Sequence, residues 1–224
     1  MYETLMTIPL FKGVSHEQIS AFLEKTPLHF NNFQPGETLI AYGEECRNVT
    51  CLLSGKLQLE RRVAGGRMLV RESLYAGSVI GLSYLFGLDT HYHFNATALT
   101  QVGIMEFSKD QLRRVLESNP IYLINCLNYL ARRGQKCDEA LPRFLGKHFG
   151  EKLGNLMIFS TDSNSREISV TAPYEPLWRI FESAEFDARA EMRELSDRGI
   201  ISIVNENKIE VLSRSQLLEI TAEH

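Results

Sequence analysis

Short alternating runs broken by turn residues at intervals of roughly ten residues fill the stretch from Pro27 to Phe107, a rhythm that suits antiparallel β-structure and not a helical bundle. The turn signals are Pro35-Gly36-Glu37, Gly43-Glu44, Ser54-Gly55, Ala64-Gly65-Gly66-Arg67 and Ala76-Gly77. Val49 to Arg61 alternates in its second half, where Leu57 and Leu59 oppose Gln58 and Glu60. The tight turn after it leads into a strand from Met68 to Tyr75, so a hairpin is expected. Phe94 to Leu99 and Val102 to Phe107 read as two more strands, and the whole set predicts a sandwich or jelly roll.

Outside that stretch the period is helical. Ser15-His16-Glu17-Gln18 is a capping box that opens a helix with Ile19, Phe22 and Leu23 on one face. Ser108-Lys109-Asp110-Gln111 is a second, and its helix stops near Asn119-Pro120. Beyond the proline, Leu123, Leu127, Leu130, Gly134, Cys137 and Leu141 alternate in steps of four and three, a seam that predicts a long helix from Ile121 to Leu141. Such a stripe packs either on the chain's own β-structure or on a partner helix. Small residues at 134 and 137 let two backbones approach, which predicts a dimer.

The remainder predicts an amphipathic helix from Pro142 to Phe159, a polar loop at 161–165, a strand at Ile168-Ser169-Val170, and helices near Tyr174 to Ser183 and from Ala184 to Arg198. Ile200 to Val204 and Lys208 to Leu212 then flank Asn205-Glu206-Asn207. Two helices followed by a hairpin predict a winged helix-turn-helix, and Ser213-Arg214-Ser215-Gln216 caps a last short helix.

A chain of 224 residues accommodates one or two cores, and the expected division is 1–118, 119–141 and 142–224. No run of about 18 apolar residues is present and Met1-Tyr2-Glu3-Thr4 lacks the character of a signal peptide, so a cytoplasmic protein without membrane contact is expected. Cys46, Cys51, Cys126 and Cys137 form no Cys-x-x-Cys pair and read as ordinary thiols with no metal site. The closeness of Cys46 to Cys51 leaves an iron-sulfur centre open, without ferredoxin spacing. No nucleophile with a matching base and no phosphate loop stands out, so no catalytic residue and no enzyme is expected.

From Leu10 to Leu212 the chain resembles the cyclic-AMP receptor protein and fumarate-nitrate regulator (Crp/Fnr) superfamily. The residues that carry the resemblance are Pro35-Gly36-Glu37-Thr38-Leu39-Ile40, Gly43-Glu44, Leu53-Ser54-Gly55-Lys56, Gly77-Ser78-Val79-Ile80-Gly81, Leu85-Phe86, Ala131-Arg132-Arg133 and Leu195-Ser196-Asp197-Arg198-Gly199-Ile200-Ile201. The resemblance implies an α+β protein: an N-terminal cyclic-nucleotide-binding-like β jelly roll, a long dimerisation helix and a C-terminal winged helix-turn-helix. It implies a cytoplasmic homodimeric transcription regulator whose partners are double-stranded DNA, a second copy, RNA polymerase and a small-molecule effector held between the β-domain and the long helix. The hinge for allostery would lie near Ala140 to Arg143.

Two departures from the family pattern bear on function. Cyclic-nucleotide binders of the family carry Gly-Glu-Leu and, roughly ten residues on, Arg-Ser or Arg-Thr, the Glu for the ribose and the Arg for the cyclic phosphate. Here these are Gly81-Leu82-Ser83 and Tyr92-His93, and the family's adenine-facing pair falls on Cys137-Asp138. An anion buried without a cation is costly, so cyclic AMP is not expected. Arg67 or Arg71 could substitute from the hairpin, although each also reads as a solvated strand charge. What remains is an effector pocket bordered by Leu82, Ser83, Tyr92, His93, Phe94, Arg133, Cys137 and Asp138, fit for a less charged or aromatic ligand, for haem through His91 and His93, or filled by its own side chains. The cofactor is therefore unknown.

The second departure is charge. A recognition helix normally offers Arg or Lys to guanine and phosphate, yet Glu182 to Arg198 holds six acids against three bases and the chain as a whole carries −4. In one account Glu185 accepts from a cytosine amino group, Arg189 and Arg193 contact phosphate or guanine, and Arg179 and Lys208 are outlying clamps. In the other the fold persists as a protein-interaction or scaffold module without sequence-specific DNA binding.

Overall fold

A computed structural model describes residues 2–140, 148–162, 165–182 and 185–222, with the side chains of 136–140, 186, 221 and 222 excepted. The chain divides into two compact units: Met1–Leu59 with Leu74–Arg133, and Glu60–Ser73 with Gly134–His224.

The first unit begins with helices α1 (Tyr2–Thr7) and α2 (His16–Lys25). Ser15 caps α2 as expected, its hydroxyl accepting from the Gln18 amide at 3.2 Å while the Gln18 side chain accepts from the Ser15 amide at 3.0 Å. Strands β1 (His29–Phe33), β2 (Thr38–Ile40), β3 (Asn48–Ser54), β4 (Lys56–Val63), β5 (Met68–Tyr75), β6 (Val79–Ile80), β7 (Asn95–Ala98) and β8 (Val102–Ser108) follow. One sheet runs β1–β8–β3–β6, and β2 and β7 pair antiparallel in the other, beside β4. Leu52 and Ile104 from the first sheet and Ile40, Leu57, Leu59 and Ala96 from the second share one core, as a sandwich requires.

The second capping box starts α3 (Lys109–Ser118), and α4 (Pro120–Ala140) follows at once. Proline fits the first turn because its missing N–H had no partner to lose, and Asn119 Oδ1 accepts from the Ile121 amide at 2.9 Å. Tyr122 and Cys126 on α4 are buried in the sandwich core, and Asn125 donates to the carbonyls of Leu10 and Lys12 at 3.0 and 2.7 Å. The opposite face leaves Leu123, Ile124 and Leu127 between 40% and 53% exposed.

The second unit contains α5 (Phe149–Ser160), β9 (Arg166–Thr171), α6 (Leu177–Ile180), α7 (Glu185–Asp197), β10 (Ile201–Asn205), β11 (Lys208–Val211) and α8 (Arg214–Ala222). α5 is buried on nearly every side, through Phe149, Gly150, Leu153, Leu156, Met157 and Ser160, so it is a central helix and not the amphipathic one expected. It begins at Phe149 behind an extended His148; of the expected start, Pro142 to Lys147 lie outside the described residues, as does Leu141. α6 is also shorter than the stretch from Tyr174 to Ser183, because Pro176 stands at its cap with extended ψ and the chain turns helical only beyond it. The Leu177 amide instead donates to the Glu206 carbonyl. β10, β11 and β9 form an antiparallel sheet in which Ile209 faces Ile203 on one side and Val170 on the other. α7 covers this unit's core with Ala188, Met192 and Leu195, and α8 packs on α5.

Candidate effector pocket and nucleic-acid interface

Two groups of candidate residues lie in separate units. In the first, Gly81 sits at φ +86°, and a Cβ there would fall 2.9 Å from the Tyr92 hydroxyl and 3.1 Å from Cys46 Sγ. That crowding, with the positive φ, requires glycine. Leu82, Tyr92 and Phe94 are at most 5% exposed, and all three belong to the sandwich core. Tyr84 packs against them, its ring centroid 5.8 Å from Tyr92 and 5.7 Å from Phe94. Burial raises the Tyr92 phenol well above its ordinary range, and the neighbouring Cys46 thiol adds to the shift. The interior at Leu82 and Tyr92 is therefore occupied by neutral aliphatic and aromatic groups.

The outer rim differs. Asp89 accepts from the His91 amide at 3.0 Å and contacts the His91 and His93 rings at 3.1 and 2.8 Å. The His91 amide bond, and then both imidazoles, hold the Asp89 carboxyl below the usual range. His91 and His93 are exposed and committed to this carboxylate, and no group of three or more metal-binding side chains exists among the described residues. Ser83 and Arg133 are half-buried, and the side chains of Cys137 and Asp138 lie outside the described ones. Arg71 pairs with Glu60 at 2.7 Å and Arg67 with Glu175 at 2.8 Å, so neither hairpin arginine is a free anion ligand. Cys46, Cys51 and Cys126 are buried free thiols whose pKa values burial raises, that of Cys51 to about 12.

In the second unit, exposed Glu185, Arg189 and Arg193 share the outer face of α7 with the β10–β11 hairpin beside them. Arg189, Arg193, Trp178, Met192, Ile203, Asn205 and Glu206 border a cleft of about 230 Å³. Arg189 is held from two sides, by Glu185 at 3.0 Å and by Glu206 in the hairpin turn at 2.6 Å. The second bond spans 17 residues and left no trace in the sequence pattern. Arg193 makes no ion pair among the described residues, whereas Lys208 lies 3.5 Å from Glu210 and Arg179 sits 5.4 Å from the Trp178 ring centroid. α7 thus presents one engaged and one free arginine within a largely acidic surface.

Comparison with known proteins agrees with this geometry. Residues 30–119 match the cyclic nucleotide-binding domain family, which covers the sandwich and α3. A CRP-like cAMP-activated global transcriptional regulator from Mycobacterium tuberculosis is 26% identical over 189 residues, covering 75% of this chain and 81% of the relative. The crystal structure of the Thermus thermophilus catabolite activator protein aligns with 96% of this chain and 99% of its own length, at a TM-score of 0.54 and 18% identity. A cyclic nucleotide-binding type of β-domain followed by a helical C-terminal unit defines the class. Within that class, residues 30–119 carry the cyclic nucleotide-binding domain match, and the chain as a whole is similar to a CRP-like transcription regulator. No helix among the described residues is long and apolar enough to cross a membrane.

Proposed function

We propose that the chain is a cytoplasmic, homodimeric, DNA-binding transcription regulator whose effector is not cyclic AMP. The observation that carries the reading is the outer face of α7, where Glu185, Arg189 and Arg193 stand exposed beside a β-hairpin that would serve as a wing. The helix seam through Leu123, Leu127, Leu130, Gly134, Cys137 and Leu141 would join two protomers. Leu123 and Leu127 are exposed, Leu130 is partly buried on the sandwich, and open space surrounds the Cβ position of Gly134. The working division is a sensor at 1–118, a dimerisation helix at 119–141 and a reader at 142–224. RNA polymerase is the further partner if the protein activates, and catalysis has no part in the reading.

Exclusion of cyclic AMP rests on Leu82 and Tyr92, buried and uncharged where ribose and phosphate would need a carboxylate and a guanidinium. A ligand at a hundred times its Kd stabilises by about 2.7 kcal/mol, enough to raise Tm by several degrees in a chain of this size. Cyclic AMP at millimolar concentration is expected to leave Tm unchanged, and a rise of several degrees would refute the exclusion. For DNA, the purified protein is expected to retard a promoter fragment from near its own gene and Arg189→Ala to weaken that retardation. Equal retardation by the variant would discard this docking geometry.

A second reading, a scaffold module that binds a basic protein surface, is favoured by the two carboxylates on Arg189. Among the described residues α7 then offers Arg193 as its arginine free of ion pairs, and Arg198 just beyond the helix lies 3.6 Å from Glu194.

A further inference from the structure

The β4–β5 hairpin begins in the first unit, yet its residues 60–73 belong to the second. There β5 lies antiparallel to β9, with Leu69 opposite Thr171, Val70 opposite Val170 and Arg71 opposite Ser169. β11 holds the other edge of β9, so β5 closes an edge that would otherwise expose unpaired amides and carbonyls. Met68 and Val70, 3% and 1% exposed, enter the C-terminal core.

A buried ion pair fixes the hairpin at its base. Arg61 and Glu72 face each other across the two strands with side chains 10% and 0% exposed. Arg61 Nη1 also donates to the Ser160 carbonyl at 2.9 Å, and Glu72 Oε2 accepts from the Asp162 amide at 2.6 Å. Ser160 is the last residue of α5, whose terminal carbonyls have no partner inside the helix and carry the negative end of its dipole. A guanidinium from the hairpin therefore caps α5, and the partner carboxylate takes the Asp162 amide, the second beyond the helix. Beside Glu72 at the base, Ser73 bonds Glu167 at 3.3 Å, and nearer the tip Arg67 bonds Glu175 at 2.8 Å.

We propose that residues 60–73 are a latch, a strand and helix cap lent to the C-terminal unit by the sensor's own β4 and β5, whose seating sets the order of β9 and of the end of α5. Leu59 and Leu74, immediately outside the latch, are buried in the sandwich core. A rearrangement of that core therefore pulls on both strands of the hairpin through two covalent bonds. This route is independent of α4, and it holds whether the C-terminal unit reads DNA or binds protein.

Hydrogen exchange followed by mass spectrometry on the full chain without DNA tests it. Glu72→Gln removes the carboxylate that faces the buried Arg61 guanidinium and accepts from the Asp162 amide, and exchange over residues 166–171 is expected to quicken by at least about tenfold while residues 48–54 in β3 keep their protection. Arg61→Met with Glu72→Leu replaces the pair by apolar groups, and exchange at 166–171 is expected to stay within about threefold of the parent. Leu74→Ala, a change in the sensor core, is expected to quicken exchange at 166–171 as well. Unchanged exchange there in Glu72→Gln or in Leu74→Ala, equal loss at 48–54 and 166–171, failure of Glu72→Gln to fold, or rapid exchange in the double variant would each overturn the proposal.

Discussion

Leu127→Ala should weaken self-association by a predictable factor. Leu127 is 52% exposed on α4, so about half of its apolar surface is available for a partner to cover. Full burial of a leucine side chain is worth about 1.5–3 kcal/mol, which puts the loss at about 1–1.5 kcal/mol per protomer. In a symmetric dimer each substitution occurs twice, giving about 2–3 kcal/mol, or about 30- to 150-fold in Kd. Leu127→Glu should exceed this, because two carboxylates would meet at the seam. Sedimentation equilibrium over nanomolar to micromolar concentrations reads the Kd, and circular dichroism should show both variants folded, since the side chain lies outside the sandwich core. An unchanged Kd in both variants would refute the assignment of this face to the dimer, and a parent chain that stays monomeric at micromolar concentration would remove the dimer altogether.

Glu206→Gln removes one of the two carboxylates on Arg189, and exposed pairs of this kind hold about 0.2–1 kcal/mol. Affinity for random duplex at low salt should rise about two- to fivefold, and a loss of affinity would contradict competition between Glu206 and phosphate. Cys51, with its thiol pushed up to about 12, should resist an aromatic disulfide reagent at pH 8 in the folded chain and react after denaturation, as peptide mapping would show. Rapid labelling of the native protein would contradict its burial. Asp89 has a depressed folded pKa, so its stabilisation is complete above the ordinary aspartate value near 3.9 and is lost as pH falls through the folded value. Carbon-detected NMR should find its midpoint below about 3.9 and His93→Ala should move it upward, whereas a parent midpoint at or above 3.9 would refute the arrangement.

Much of this architecture is legible in the sequence because the signals are local. Both capping boxes act within three residues, and the glycine rhythm marks turns whose φ values glycine tolerates. The seam on α4 shows where its apolar side chains lie, but period alone does not tell which of them the sandwich takes. Tyr122 and Cys126 turn inward, and Ile124 joins Leu123 and Leu127 on the exposed face. The late start of α6 is legible in Pro173 and Pro176, which bracket Tyr174-Glu175 and delay helical backbone until Leu177. Long-range partners were not. Arg61 and Glu72 read as two strand charges, and only the bonds of Arg61 to the Ser160 carbonyl and of Glu72 to the Asp162 amide reveal a helix cap. Arg189 reads as a ready phosphate ligand, and only the fold brings Glu206 against it. At the candidate effector site, the uncharged side chains of Leu82 and Tyr92 are plain in the sequence, but the packing of Tyr84, Tyr92 and Phe94 on one another and the close approach at Gly81 are not.

The proposed function stands or falls on whether this acidic chain binds DNA through α7. Fluorescence anisotropy of a labelled random duplex, titrated with the protein from 50 to 200 mM salt, addresses it most directly, because each phosphate neutralised by a basic side chain lowers log K with log salt by about 0.9. The account predicts measurable binding at low salt that falls steeply across this range, with the slope reduced by about one when Arg193 is replaced by Ala. No binding at any salt concentration would contradict it and leave the scaffold reading in its place.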